Sequence, residues 1–92
     1  MIRSFKCDKT EALSKGNPVK QFVNIAKVAR RKLRQLEIAN RLDDLRVPPG
    51  NRLEALKGSR SGQHSIRIND RWRICFHWKD SGAEEVEIVD YH

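Results

Sequence analysis

The sequence predicts an α+β domain, with N-terminal helices packed on one face of a small, mostly antiparallel sheet. Three observations carry this. In the first half, apolar residues recur at steps of three and four, the helical spacing. In the last third they alternate with polar residues, the spacing of half-buried strands. Between the two lies Val47-Pro48-Pro49-Gly50-Asn51, a firm break, since neither proline fits a helix interior. Residues 1–92 are read as one domain, because the stretch beyond that break is too short for a separate core.

The elements follow in order. Residues 1–7 alternate partly and suggest a short first strand. Asp8 is placed to cap a helix and Glu11 to close its capping box, and Gly16 ends it. Asn17-Pro18 then suggests the start of a second helix, with Asn as N-cap and Pro at the first helical position. That helix is predicted over Pro18 to Ala39, a rod of roughly 33 Å. Val19, Phe22, Val23, Ala26, Ala29, Leu33 and Leu36 form its apolar stripe, and Lys20, Lys27, Arg31 and Arg34 a second, basic one. Arg41 to Arg46 allows a short helix with Leu42 and Leu45 turned inward. Leu53 to Lys57 and the polar turn to Gly62 read as a loop. It leads into strands over Gln63–Asn69, Trp72–Trp78 and Glu84–Tyr91, a three-stranded meander. Trp72, Ile74, Phe76 and Trp78 share one face; Arg73, Cys75 and His77 share the other.

Charge narrows the function. The net charge is +7, and its excess lies in residues 1–47, which hold twelve Lys and Arg against five Asp and Glu; residues 48–92 hold seven of each. Such a surface suits nucleic acid or an anionic membrane, or serves solubility alone. Lys27, Arg31 and Arg34 are candidates to track a phosphate backbone, or simply a solvated face. Cys7 and Cys75 are far apart and show no paired spacing, which points to a reducing compartment and no metal site. The three histidines lack zinc-type spacing. No signal peptide or membrane-span pattern is recognised, so a cytoplasmic protein is expected, with no membrane partner.

What remains is basic and acid–base chemistry: Glu54, Lys57, Arg67, Arg73, Asp90, Tyr91 and His92. RNA cleavage without a metal needs a base for the 2′-OH, an acid for the leaving 5′-oxygen, and cations for the charge on phosphorus. Glu54, Asp90 or His92 suits base or acid; Lys57, Arg67 and Arg73 suit the cations. By spacing alone, Glu54 fits a solvated carboxylate equally well, Arg73 an ion-pair partner of Glu87, and Tyr91 a core ring.

These residues also carry a resemblance. RLEALKG, the polar turn, the QHSIRINDRWRICF strand pair and the terminal EIVDYH resemble the HigB branch of the RelE/ParE toxin superfamily, over essentially the whole chain. The resemblance implies the RelE-like microbial RNase fold and a bacterial type II toxin. It implies ribosome-dependent, metal-independent endonuclease action on mRNA in the ribosomal A site, with no cofactor. It also implies a HigA-like helix-turn-helix antitoxin, contact with operator DNA through the antitoxin complex, and a monomeric free toxin. Residue by residue, Lys57 matches the basic loop residue and Arg73 the arginine that holds the scissile phosphate. Asp90, Tyr91 and His92 match the terminal acid–base group. Some family members carry a histidine where this chain has Glu54, which shifts weight to Glu54 or Asp90 working with His92. Two other functions compete: a ParE-like inhibitor of DNA gyrase, which needs no acid–base group, and a non-catalytic nucleic-acid-binding module.

Overall fold

A computed structural model of the chain describes residues 1–90. Its regular elements are helices α1 (Asp8–Ser14) and α2 (Ala26–Ile38) and strands β1 (Glu54–Ala55), β2 (His64–Arg67), β3 (Trp72–Lys79) and β4 (Gly82–Asp90). The strands form one antiparallel sheet in the order β1-β2-β3-β4. The helices pack on one face of it, as the periodicities predict. Leu13, Phe22, Leu33 and Leu36 from the helical side meet Ile66, Ile74, Phe76, Val86 and Ile88 from the sheet, all buried. Each such side chain, fully buried, contributes roughly 1.5–3 kcal/mol. Thr10 ties the layers together: buried on α1, its hydroxyl oxygen accepts the Ile88 N–H at 3.0 Å.

The expected first strand is reduced to two parallel bridges, Ile2 to Ala83 and Phe5 to Val86, along the free edge of β4. Between them Glu85 adopts a left-handed φ of 52°, and the Ser4 hydroxyl accepts its N–H at 2.8 Å. The bulge this makes interrupts both the N-terminal pairing and the β3–β4 ladder.

Several expectations about the helices need correcting. Asp8 is the first helical residue, not the cap; Cys7 holds the cap position, and Glu11 pairs with Lys15 at 3.1 Å instead of closing a capping box. Both acids still sit favourably at the helix's positive end. The second helix does not run from Pro18 to Ala39. A 3-10 turn, Lys20–Phe22, precedes a break, and α2 has 13 residues, a rod of roughly 20 Å. The break falls at Val23-Asn24-Ile25, where two β-branched residues flank an asparagine, all weak helix formers. Phe22 and Ile25 are both buried in the core while Val23 turns outward, 69% exposed, so Val23 does not belong to the apolar stripe. The short helix after Asn40 is a 3-10 turn, Leu42–Arg46, with Leu45 buried as expected.

The sheet has one strand more than the meander. Glu54–Ala55, read as loop, pairs with β2, placing Glu54 opposite Ser65. A two-residue strand is too short to show an alternation. The β3–β4 turn is confined to Asp80-Ser81, both left-handed, which matches the twist of a two-residue hairpin.

Candidate active site

Antiparallel registry decides which side chains meet. Glu54, Ser65, Cys75 and Glu87 stand opposite one another across all four strands, and Arg67, Arg73 and Val89 form the next row. Directly paired residues share a face, and here it is the face turned away from the helices. Ser65 and Cys75 are completely buried at its centre. Around them lie charges from three directions. The Arg73 guanidinium pairs with the Glu54 carboxylate at 3.0 Å. From the loop after β1, Arg60 donates to Gln63 at 3.1 Å and to Glu87 at 3.0 Å, and Lys6 approaches Glu87 at 3.8 Å. Burial pushes the Cys75 thiol up from its ordinary pKa, which Arg60 and Arg73 only partly offset; the group is a poor nucleophile.

Arg67 and Arg73 are directly opposed. Like charges so placed repel, and each is offset by a carboxylate, Asp70 for Arg67 and Glu54 for Arg73. Two arginines side by side on an open sheet face are fitted to an anion that would replace those carboxylates. Glu54 is half exposed, while the Arg73 side chain is only 17% exposed. The cation is therefore fixed in the sheet and the carboxylate sits at the rim.

The other predicted residues are distributed as follows. Lys57 is exposed at the start of the 3-10 turn Gly58–Arg60, on the loop between β1 and β2. Asp90 stands opposite Trp72, a residue of the helix-side face, and is held by Arg71. Registry therefore does not put the Asp90 carboxylate on the face of Arg73. Tyr91 and His92 lie outside the described residues. Lys27, Arg31 and Arg34 are exposed on α2, whose buried side packs against the opposite face of the sheet. The basic helix and the Glu54–Arg73 face are thus on different sides of the molecule.

Sequence reasoning missed Arg60 and Arg71, which stand in turns, where no periodicity assigns a face. It also missed the buried Lys32, whose ammonium donates to the Asn51 side chain; burial first, then Arg31 and Arg67, hold Lys32 below its usual pKa. His64, stacked on Phe76, is likewise lowered, by burial and then by Arg46. A groove of about 370 Å³ between Ile2, Phe5, Gly16 and Leu33 is rimmed by Arg30, Arg34 and Glu37 on the helix side, and none of the predicted catalytic residues lines it. Among the described residues no group of three or more His, Cys, Asp or Glu side chains is arranged to hold a metal, and no helix is long and apolar enough to cross a membrane.

The architecture is that of a RelE-like toxin. YafQ from E. coli strain BL21(DE3) superposes with a TM-score of 0.63 at 16% identity, over 98% of this chain and 93% of that one. A histidine-to-glutamine mutant of YafQ from E. coli superposes with a TM-score of 0.58 at 14% identity, over the same shares. Identities this low speak for the fold alone. The sequence goes further: the family model described as "RelE-like toxin of type II toxin-antitoxin system HigB" matches residues 4–92, and the chain belongs to this HigB-like toxin family. Toxin HigB-1 of Vibrio cholerae serotype O1 is 49% identical over 53 residues, 58% of this chain and 56% of that protein. An uncharacterised protein of Haemophilus influenzae is 34% identical over 65 residues, 71% of this chain and 64% of that one. The chain thus spans between about half and two thirds of the length of these two relatives.

Proposed function

We propose that this toxin is a ribosome-dependent endoribonuclease that cuts mRNA in the ribosomal A site and so stops translation. The observation that carries the reading is the paired arginine face: Arg73, set in the sheet and opposed by Arg67, with the Glu54 carboxylate 3.0 Å away. The scissile phosphate displaces Glu54 from Arg73 and leaves the carboxylate beside the reacting ribose. Glu54 takes the proton of the 2′-OH as that oxygen bonds to phosphorus. The bond from phosphorus to the 5′-oxygen breaks, and His92 protonates the departing oxygen. The product is a 2′,3′-cyclic phosphate, so the step consumes no water and needs no metal or cofactor. Arg73, Arg67 and Lys57 hold the charge that grows on the phosphoryl oxygens. Tyr91 and Asp90 complete the terminal group with His92.

Lys27, Arg31 and Arg34 supply affinity for ribosomal or messenger RNA from the helix side. Residues 1–92 act as one domain, in the cytoplasm, and the free toxin is a monomer. A HigA-like helix-turn-helix antitoxin neutralises it, and the pair binds operator DNA through the antitoxin. The test sets mRNA cleavage against DNA supercoiling in one translating extract. Cleavage with unchanged supercoiling supports the reading. Lost supercoiling with intact mRNA would place the chain among gyrase inhibitors, and RNA binding with neither effect would make it a non-catalytic module.

A further inference from the structure

We propose that Arg71 is a positioning residue for the chain's C-terminal group, and that Asp90 is the anchor it holds rather than a group that transfers protons. The proposal rests on the reading of that group as acid–base machinery and assigns the work within it.

The turn between β2 and β3 is built to present Arg71. The Asn69 side-chain oxygen accepts the N–H groups of both Arg71 and Trp72 at 2.8 Å, which fixes the backbone of the turn. From there the Arg71 guanidinium reaches β4. Its Nε donates to both Asp90 oxygens at 3.0 Å and its Nη2 to Oδ2 at 2.7 Å. The guanidinium carbon lies 5.4 Å from the centre of the Trp72 ring. Trp72 in turn stands edge-on to Phe22 of the core at 5.6 Å. The arginine is therefore held on one side by a partly buried ring packed against the core and on the other by a carboxylate, and a planar fork suits that geometry where an ammonium does not. An exposed ion pair is ordinarily weak; two-oxygen contact and a ring behind it are what set this one apart.

Two consequences follow. Both Asp90 oxygens are engaged by the guanidinium, on the sheet face opposite Arg73, so Asp90 is poorly placed to exchange a proton with a phosphate held there. And the end of β4 is tied through Asp90 to the turn between β2 and β3, and in the sequence Tyr91 and His92 follow Asp90 directly. Misplacement of reacting groups by about 1 Å can cost on the order of 10²-fold in rate.

The experiment compares Arg71→Gln, Arg71→Lys, Asp90→Asn and the charge-swapped pair Arg71→Asp with Asp90→Arg. Two quantities are read for each: cleavage of translated mRNA, and hydrogen exchange of the last two backbone amides of β4, at positions 89 and 90. If Asp90 is an anchor, cleavage follows exchange protection through the whole series. Arg71→Gln and Asp90→Asn lose both to a similar extent, Arg71→Lys falls between them and the parent, and the swapped pair regains cleavage in the measure that it regains protection. A much larger loss of cleavage in Asp90→Asn than in Arg71→Gln at equal protection overturns the assignment, as does exchange that none of the variants alters. Should the parent chain cut no mRNA at all, the nuclease reading fails separately, and the proposal fails with it as a statement about catalysis even if exchange shows the clasp.

Discussion

The Arg73 side chain is largely buried, faces a second arginine across the strand pair and pairs with Glu54 at 3.0 Å. On the proposed reading, replacing it by alanine removes charge stabilisation from the reacting phosphate, and mRNA cleavage is expected to fall by roughly 10²–10³. Melting should stay near that of the parent, since the side chain lies outside the main core; a folded Arg73→Ala protein that cuts normally would contradict the assignment. Asn51 makes the opposite case, a polar residue whose work is structural. It is fully buried, accepts from the Lys32 ammonium, and donates to Gln35 at 3.0 Å and to the Leu45 carbonyl at 3.1 Å. Asn51→Ala leaves a buried ammonium without that acceptor, and we expect a loss of about 2–4 kcal/mol in denaturant unfolding. A change within about 0.5 kcal/mol, the size seen for ordinary surface substitutions, would show that the pair is not formed in solution.

Among the elements, the 3-10 turn Leu42–Arg46 shows how one exposed side chain can set a local boundary. The Asp44 carboxylate accepts the N–H groups of Asn40 and Arg41, both at 3.0 Å. The Arg41 bond, then the Asn40 bond, lower its pKa from the usual 3.8. A carboxyl whose folded-state pKa is depressed stabilises fully above its unfolded value and loses that contribution as pH falls through the folded value. The difference in melting temperature between the parent and Asp44→Ala is therefore expected to be constant above about pH 5 and to shrink below about pH 4, within the usual carboxylate range; a difference that persists undiminished to about pH 2 would rule out the carboxylate as its source. This turn was legible in the sequence, with Leu42 and Leu45 as its inward residues, and so were β2, β3 and β4, because each is long enough to show its period. The face of Arg73 and Cys75 followed from that alternation. The break in the second helix was not legible from spacing: Val19, Phe22 and Val23 fit the same stripe as Ala26 to Leu36, and only the weak helix propensity of Val23-Asn24-Ile25 marks where it falls. Nor was β1, since Glu54 and Ala55 have no period to read, and with it went the partner of Arg73. Arg60 and Arg71 escaped for the same reason, being turn residues whose faces are set by chain direction rather than by spacing.

At the scale of the whole molecule the charges divide between two sides. Among the described residues, the helix side carries the exposed cations Lys27, Arg31 and Arg34 with no ion pair, while on the other face of the sheet arginines and glutamates are interleaved. Unbalanced cations attract polyanions at a distance, and interleaved ones act only on a ligand that displaces their partners. Replacing Lys27, Arg31 and Arg34 with glutamine in the free toxin should thus weaken binding to ribosomes and flatten its dependence on salt, whereas Arg73→Ala should lower cleavage with binding nearly kept. An unchanged salt slope would mean that the helix face is only solvated.

The central claim is that a toxin of this family, with Arg73 at the phosphate and Glu54 beside it, cuts mRNA on the ribosome. Primer extension on one mRNA tests it most directly, in an extract where translation proceeds and in the same extract with initiation blocked, with the parent protein and with Arg73→Ala. The account predicts new 5′ ends within the translated region only while ribosomes are translating, and their loss by roughly 10²-fold or more with Arg73→Ala. Identical cuts in the blocked extract would contradict ribosome dependence, and the absence of cuts from a folded, growth-inhibiting protein would contradict the nuclease itself.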